Sequence, residues 1–495
     1  MRPPPNPGPD KRMAWLQTHW IAVALLAVYG ALLVRHAIEG RRGTKGRADY
    51  YVGGRSMGGV VLGLSFFATY SSTNSFVGFS GQAYTYGAPW LLLAPAVVVF
   101  SLSAWIWVAP RLRAFTGAVD SVTLADYVGF RFESRAARVL AAVIVIFASF
   151  LYMIAVFKGI GNLLEIFLDI PYKGAIGFVF IVVVLYTAVG GFISVVKTDA
   201  VQGIVMSIAA ILLFWGTLNS AGGLGAIDAI RAAPDTSGLF RWDAAMPFPV
   251  LIGIIVAGTL KFIVDPRQLS RFYALADPQA VRRGLIVSTI AFLGVYTLLL
   301  PIGLYAHAVI GSGLAESDLV VPTLLGDAGI LPALPAAFIL VAMLAAAMSS
   351  LDSVLLVMAS TWERDVISLF RPQADEGRAV AHTRFWVALF AIITAWLALN
   401  PPGSIVTLTA FSGGLYAACF FPAVVLGLLW RRGTGAGAVA SLLTGFTVLL
   451  CWDLVPFSDA VHEVFPAMAL SLAAYVACGL AAPPLAAARR LDIKL

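Results

Sequence analysis

The chain has 495 residues, of which 60% are hydrophobic and only 12% are charged. A soluble multidomain protein could not hide so much apolar surface from water, so the composition excludes that class and predicts an integral membrane protein. The formal net charge of +7 would suit a nucleic-acid-binding protein, but the basic residues fall in short segments between apolar stretches. We therefore expect a lipid bilayer as the partner and no nucleic acid.

Apolar stretches of about 17 to 25 residues predict thirteen transmembrane helices and an all-α fold. They lie at about residues 17–35, 57–82, 88–109, 136–165, 172–190, 199–221, 248–264, 284–310, 333–360, 382–399, 404–429, 435–452 and 464–482. The prolines of residues 1–16 predict a disordered extracytoplasmic tail, and residues 483–495 are expected to form a cytoplasmic tail. Nearly all Lys and Arg residues flank the spans on one side, which predicts an outside N-terminus and a cytoplasmic C-terminus.

A polar run interrupts the second span, LSFFATYSSTNSFVGFSG (residues 64–81), where every residue from Thr69 to Ser75 carries a hydroxyl or an amide. Such groups are costly in hydrocarbon unless they line an enclosed or watered cavity, and they compete with the helix for backbone hydrogen bonds. The run therefore predicts a broken helix whose freed carbonyls form an ion and substrate site. The alternative is an unbroken helix whose polar stripe bonds to neighbouring helices.

The ninth span carries small and hydroxyl residues along one helix face. Ala346, Ser349, Ser350 and Ser353 follow the i, i+3, i+4, i+7 spacing, and Asp352 lies at the edge of the same face. Small residues with serines are also typical of tight helix packing. The buried carboxylate favours the functional interpretation, because it needs a partner or an ion.

Two other polar positions each allow two interpretations. Asp199 with Gln202 three residues later resembles a capping box at the start of the sixth span, but Asp199 could equally supply oxygen to a cation. Lys158 lies inside the fourth span, so its side chain either snorkels to the outer interface or faces the cavity and an anionic substrate.

The segment DPRQLSRFYALADPQAVRRG (residues 265–284) is basic and opens with an Asp-Pro pair. The pair predicts a sharp end of the seventh span at this point. We therefore expect residues 265–284 to form a cytoplasmic connection.

Three stretches occur in an order and spacing that resemble the sodium:solute symporter family. They are DYYVGGRSMGGVVLGLSFFATYSSTNSFVGFSGQAYTYGAPW, LYTAVGGFISVVKTDAVQGIVM and LAAAMSSLDSVLLVMASTWERDV, and the resemblance extends from about Asp49 to Arg432. The first motif most resembles the pantothenate permease branch, with the proline permeases further off.

The resemblance implies a LeuT-like core of two inverted five-helix repeats. The repeats would occupy residues 57–221 and 248–429, with an extra helix at 17–35 before them and two more helices within 435–482 after them.

The resemblance also implies one sodium site between the first and eighth core helices. Its ligands would be the carbonyls of Ala68, Ser71 and Ala346 and the hydroxyls of Ser349 and Ser350. Asp199 matches an acidic residue near a second, optional cation site to which Ser353 could belong. Asp352 stands where members with that site have serine. Whether the second site binds a second sodium ion, a proton or no ion therefore stays open. Where the family often has arginine in the third core helix, this chain has Asn162, with Lys158 one turn earlier.

These observations predict a sodium:solute symporter that imports a small organic solute by alternating access. Thr69, Ser72, Asn74 and Ser75 are the predicted substrate contacts, with Lys158 as a weaker one. A pocket-facing Lys158 favours a carboxylate such as pantothenate or a monocarboxylate, and a snorkelling one makes proline, another amino acid or a sugar equally suitable. We expect a monomer, no organic cofactor and no metal other than sodium.

Three functions of other classes are alternatives to this prediction. An ion channel or a membrane sensor could keep the same fold, and concentrative uptake would exclude a channel. An intramembrane enzyme would need a nucleophile or a metal cluster beside Asp199 and Asp352, and the sequence shows neither.

Overall fold

The architecture is helical throughout the described residues, which in this computed structural model are 9–44, 46–243, 246–314, 316–326, 329–370, 376–456 and 458–483. A lipid-embedded backbone has no water to bond with, so each span must satisfy its polar groups internally. Among the described residues, β-structure is limited to an isolated bridge between Met57 and Leu275. The predicted all-α architecture is confirmed.

The first half of the chain, up to about residue 240, contains ten α-helices in its described part. They are α1 (Pro9–Gly43), α2 (Arg47–Val52), α3 (Gly59–Tyr70), α4 (Phe79–Tyr86), α5 (Leu93–Ser103), α6 (Ala109–Val119), α7 (Leu124–Phe132), α8 (Arg135–Leu168), α9 (Tyr172–Ser220) and α10 (Ala226–Ala232). Turns of π-helix lie at Asn74–Gly78 and Ala104–Val108, and 3₁₀ turns at Gly53–Arg55, Ala88–Leu92 and Ser237–Phe240.

The second half continues with twelve α-helices in its described part. They are α11 (Phe248–Val264), α12 (Pro266–Ala274), α13 (Pro278–Leu299), α14 (Pro301–Ile310), α15 (Val320–Leu325), α16 (Ala333–Thr361), α17 (Ser368–Phe370), α18 (Glu376–Leu397), α19 (Ile405–Phe421), α20 (Gly427–Leu429), α21 (Gly435–Cys451) and α22 (Val464–Leu480). Turns of π-helix lie at Trp362–Ile367 and Pro422–Leu426, and 3₁₀ turns at Ser317–Leu319, Trp452–Leu454 and Ser458–Ala460.

Ten helical stretches of the described chain are long and apolar enough to cross a bilayer, and α3 and α22 are shorter apolar helices. The longest helix, α9, has 49 residues and bends at Gly191, where φ is 61°. A span needs about 20 residues, so α9 is long enough for two of them. The count of thirteen spans stays a prediction.

Helix α1 begins earlier than expected. It starts at Pro9, so residues 9–16 are helical and are not the disordered tail that their prolines suggested. Proline is tolerated in the first turn of a helix, because the N–H that it lacks would have no partner there. Residues 1–8, and the predicted cytoplasmic tail from residue 484 onward, lie outside the described residues.

Helices α11 and α12 form a second interrupted span. Asp265 has an extended backbone (φ −70°, ψ 123°), and its carboxylate accepts a hydrogen bond from the Arg267 N–H, which caps α12. Pro266 opens the new helix at the position where proline is favoured. The prediction of a cytoplasmic connection from Asp265 is therefore wrong for Pro266–Ala274, all of which is buried.

The interrupted helix α3 lies in the centre of the bundle. It packs against α9, α13 and α16. Glycines permit this close approach: a Cβ atom placed on Gly63 would lie 2.7 Å from the Gly284 carbonyl oxygen of α13. The end of α3 is thereby held beside the serine-rich face of α16.

Candidate ion and substrate site

The interruption between α3 and α4 places polar groups deep inside the protein. Helix α3 ends at Tyr70, and the chain resumes as a π-helical turn at Asn74–Gly78. Ser71 between them has φ −75° and ψ 101°, so its carbonyl no longer points along the helix ladder. All side chains from Thr69 to Ser75 are buried. The prediction of an enclosed, broken helix is confirmed.

The predicted sodium ligands of α3 and α16 face each other. The Ser349 hydroxyl lies 3.0 Å from the Ala68 carbonyl oxygen and 2.9 Å from the Ala346 carbonyl oxygen. The Ser350 hydroxyl donates to the Thr69 carbonyl at 3.4 Å. Neighbouring oxygen ligands of one hard cation, bound at about 2.4 Å, lie roughly 3 to 3.5 Å apart. The spacing of these oxygens therefore suits a small cation.

Ser71 and Ser75 share a partner on α13. Their hydroxyls lie 3.3 and 2.6 Å from the hydroxyl of Tyr296. The Ser71 side chain is thus directed at α13, and the role of its carbonyl as a sodium ligand stays a prediction. Tyr296 was not anticipated, because a tyrosine in an apolar span carries no distinctive signal.

Ser72 and Asn74 shape the turn itself. The Ser72 hydroxyl accepts a hydrogen bond from the Asn74 N–H at 3.1 Å. The Asn74 Oδ1 atom and the neighbouring Thr73 hydroxyl are buried, and no described residue bonds to them. Buried polar atoms normally have partners, so these two are free to bind a ligand.

Asp199 lies at the hydroxyl-bearing face of α3. Its Oδ2 atom accepts hydrogen bonds from Ser65 at 2.6 Å and from Thr69 at 3.3 Å. The capping-box interpretation is wrong, because α9 runs through Asp199 without a start there. Gln202 instead donates to the hydroxyl of Tyr29 on α1.

Arg271 of α12 lies inside the possible second cation site. Its guanidinium donates to Asp199 Oδ2 and to the Ser353 hydroxyl, each at 2.7 Å, and to the Ser65 hydroxyl at 3.0 Å. Ser353 in turn donates to Asp352 Oδ1 at 3.2 Å. One buried cation of the protein thus joins α3, α9, α12 and α16.

The second cation site holds more negative than positive side chains. Arg271 contacts one carboxylate directly, and the other, that of Asp352, is completely buried. Asp199 Oδ1 and Asp352 Oδ2 are buried and have no hydrogen-bond partner among the described residues.

The second interruption contributes three charged residues, of which Asp265 and Arg267 were assigned to the cytoplasmic connection. Lys261, Arg267 and Asp265 are all buried, and Arg267 is paired with Asp265. The Lys261 amino group lies 4.7 Å from the ring centre of Tyr70 and 5.4 Å from that of Tyr152. A signal for Lys261 was available, since it lies within an apolar run where a charge is rare.

Lys158 forms an ion pair that neither of its two interpretations included. Its amino group contacts the Asp318 carboxylate and the Gly403 carbonyl oxygen, both at 3.2 Å. Asp318 also accepts the N–H of Ile405 at the start of α19. Lys158 is thus part of a contact among α8, α19 and the turn Ser317–Leu319.

Solved structures with the same arrangement are membrane transporters. A Na⁺-coupled sialic acid symporter in a substrate-bound outward-open state superposes with a TM-score of 0.80, covering 94% of this chain and 98% of that chain at 19% identity. Mhp1, a nucleobase-cation-symport-1 family transporter, superposes with a TM-score of 0.52 at 14% identity. The superposition covers 91% of this chain and 99% of that chain. Both superpositions, together with the two interrupted helices, show that this chain has a LeuT-like fold.

The sequence itself places the chain more narrowly. Residues 50–445 match the family model of the sodium:solute symporter family. The sodium/pantothenate symporter of Haemophilus influenzae is 30% identical over 464 residues, 92% of this chain and 94% of that protein. The osmoregulated proline transporter OpuE of Bacillus subtilis is 32% identical over 441 residues, which are 86% of this chain and 88% of that protein. The chain belongs to the sodium:solute symporter family. It is a multi-pass membrane transporter and not an enzyme.

Proposed function

We propose that sodium binds to the carbonyls of Ala68, Ser71 and Ala346 and to the hydroxyls of Ser349 and Ser350. The contact between Ser349 of α16 and the Ala68 carbonyl of α3 carries this proposal. A cation there would hold the interrupted helix against α16 and stabilise one closed state. A solute that favours the same state is then coupled to the ion, and linkage makes the coupling reciprocal.

The proposed solute is a small organic carboxylate that is imported by alternating access. The relatives include a sodium/pantothenate symporter, which supports this class, and a proline transporter, which supports an amino acid as the alternative. Thr69, Ser72, Asn74 and Ser75 are the proposed contacts, since they lie at or next to the interruption, close to the proposed sodium ligands. Lys158 is not included, because Asp318 already neutralises its charge.

A substitution at Ser349 tests the sodium site. Ser349→Ala removes the hydroxyl that joins the two helices, so the sodium concentration for half-maximal uptake should rise at least about tenfold. Uptake of radiolabelled pantothenate, lactate, proline and glucose into proteoliposomes is measured with and without a sodium gradient. Accumulation above the external concentration shows coupled transport.

Ser360→Ala is the matched control on the same helix. Its hydroxyl bonds only within α16, to the Val357 carbonyl, among the described residues. The control should keep the sodium dependence of the wild type. An unchanged sodium dependence in Ser349→Ala would contradict the proposed site.

We propose further that the second cation site of Asp199, Asp352 and Ser353 takes its positive charge from Arg271. The guanidinium already contacts Asp199 and Ser353, the two oxygen groups that a second ion would need. One sodium would then be coupled to each solute. A Hill coefficient near one for sodium supports this stoichiometry, and a coefficient near two opposes it.

The proposed setting is the bacterial inner membrane, with the N-terminus outside and the C-terminus in the cytoplasm. The distribution of Lys and Arg residues along the chain supports this orientation. A monomer is the proposed functional unit, because the ion and solute groups all come from one chain. Reporter fusions at the two termini test the orientation.

A further inference from the structure

Lys261 is a buried cation with no counter-charge of its own. It lies in the last turn of α11, and the residue is 3% exposed. Among the described residues, none accepts a hydrogen bond from its amino group or forms an ion pair with it. The rings of Tyr70 and Tyr152 lie beside it instead, at 4.7 and 5.4 Å. Aromatic faces attract a cation, but far less than a carboxylate does.

The neighbouring charges do not neutralise Lys261. Asp265 is engaged by Arg267 through both of its carboxylate oxygens. This local group of two cations and one anion keeps one excess positive charge. Charged residues inside membrane spans normally pair or serve a ligand, so the excess charge indicates a site for an anion.

Arg267 offers a second donor at the same tyrosine. Its guanidinium carbon lies 3.8 Å from the ring centre of Tyr152, and its Nη1 atom is buried without a partner among the described residues. An unsatisfied, buried donor of this kind is costly unless a ligand meets it. A carboxylate has two oxygens and could accept from Lys261 and from Arg267 Nη1.

The excess charge adjoins the proposed sodium site. Tyr70 directly precedes Ser71 in the interruption, and the Tyr152 hydroxyl donates to the Ser350 hydroxyl at 3.2 Å. A carboxylate at Lys261 would therefore sit one side chain away from the sodium ligands on both α3 and α16. Ion and solute would stabilise the same packing of these helices.

We propose that Lys261, assisted by Arg267 Nη1, binds the carboxylate of the transported solute. The inference rests on the proposed sodium-coupled uptake and narrows the proposed substrates to monocarboxylates. One excess positive charge matches a solute with one carboxylate and no ammonium group. A zwitterionic amino acid would bring its own cation toward Lys261 and Arg267, and a neutral sugar would leave the excess charge unpaired.

Substitutions of Lys261 and of Lys158 test the inference. Uptake of radiolabelled pantothenate, lactate and proline into proteoliposomes is compared for wild type, Lys261→Met, Lys261→Arg and Lys158→Met. Lys261→Met should raise the KM for the monocarboxylates at least about 30-fold, because a buried charge pair loses one partner. Lys261→Arg keeps the charge and should recover most of this loss. Lys158→Met should leave that KM within about threefold, because Lys158 belongs to another ion pair.

Direct sodium binding separates this inference from the proposed function. Binding of ²²Na⁺ to purified Lys261→Met should match the wild type, which also shows that the variant is folded. Three results would each overturn the role of Lys261. The first is an unchanged monocarboxylate KM in Lys261→Met, and the second is loss of ²²Na⁺ binding in that variant. The third is a wild type that takes up proline but neither pantothenate nor lactate. Absence of sodium-dependent uptake of all three solutes by the wild type would remove the proposed function, and this inference with it.

Discussion

Lys158 and Asp318 form an ion pair that connects α8 to the turn before α15. Asp318 is 2% exposed, and its Oδ1 atom has no partner among the described residues, so its charge depends on Lys158. Lys158→Met leaves this carboxylate without a counter-charge, which should cost about 3 kcal/mol of stability. The measurement is the thermal unfolding of purified protein in detergent.

The double variant Lys158→Met with Asp318→Asn is the control. It removes both charges, so it should recover most of the lost stability. Equal instability of the single and double variants would mean that the pair is not the cause. Loss of acid uptake in Lys158→Met with stability intact would instead assign Lys158 to the substrate site.

Single residues of the site were predictable where they interrupt a pattern. The polar run at Thr69 to Ser75 and the carboxylate of Asp352 both stand out in apolar sequence, and both are buried at the centre. Arg271 could not be found in this way, because it lies in a polar, basic segment that resembles a loop. Its partners Asp199, Ser65 and Ser353, all distant in sequence, hold it inside the protein.

At the scale of elements, the crossing of α3 and α13 depends on glycine. A Cβ atom on Gly63 would lie 2.7 Å from the Gly284 carbonyl oxygen and 3.0 Å from the Gly284 Cα atom, so backbone would have to move. Gly63→Val should therefore destabilise the protein by about 1 to 3 kcal/mol. It should also weaken sodium binding, because α3 carries Ala68. Thermal unfolding and ²²Na⁺ binding measure the two effects.

Gly294→Val on α13 is the matched substitution. No atom lies within 4 Å of a Cβ atom placed there, so the same side chain has room. This variant should stay within about 0.5 kcal/mol of the wild type. A larger effect at Gly294 than at Gly63 would show that helix propensity decides the outcome rather than the crossing.

The two interruptions differ in how far sequence could predict them. At Ser71 the chain breaks within a long apolar stretch, so a span interrupted in its middle was the natural interpretation. At Asp265 the break is followed by Arg267 and Arg271, and a basic segment after Asp-Pro indicates the end of a span. Asp265 both caps α12 and neutralises Arg267, so the helix stays inside the protein. The local sequence indicates that Asp265 can cap α12, but it does not indicate that Asp265 pairs with Arg267 inside the protein.

At the scale of the whole molecule, the buried charges of the central helices balance. The group comprises three cations and three anions, which are Lys261, Arg267, Arg271, Asp199, Asp265 and Asp352. The excess positive charge lies at Lys261 beside the proposed solute site, and the excess negative charge lies at Asp352. One sodium ion and one monocarboxylate add no net charge, so this group has the same formal charge of zero in the empty and in the loaded protein.

Transport should therefore be electroneutral. An elementary charge that crosses the membrane responds to about 2.3 kcal/mol per 100 mV, whereas a neutral complex does not. An inside-negative potential imposed by potassium and valinomycin should change the rate of monocarboxylate uptake less than twofold. A tenfold sodium gradient should drive accumulation to about tenfold and no further, since each factor of ten corresponds to about 1.4 kcal/mol. Strong stimulation by the potential, or accumulation near 100-fold, would show that Asp199, Asp352 and Ser353 bind a second cation despite Arg271.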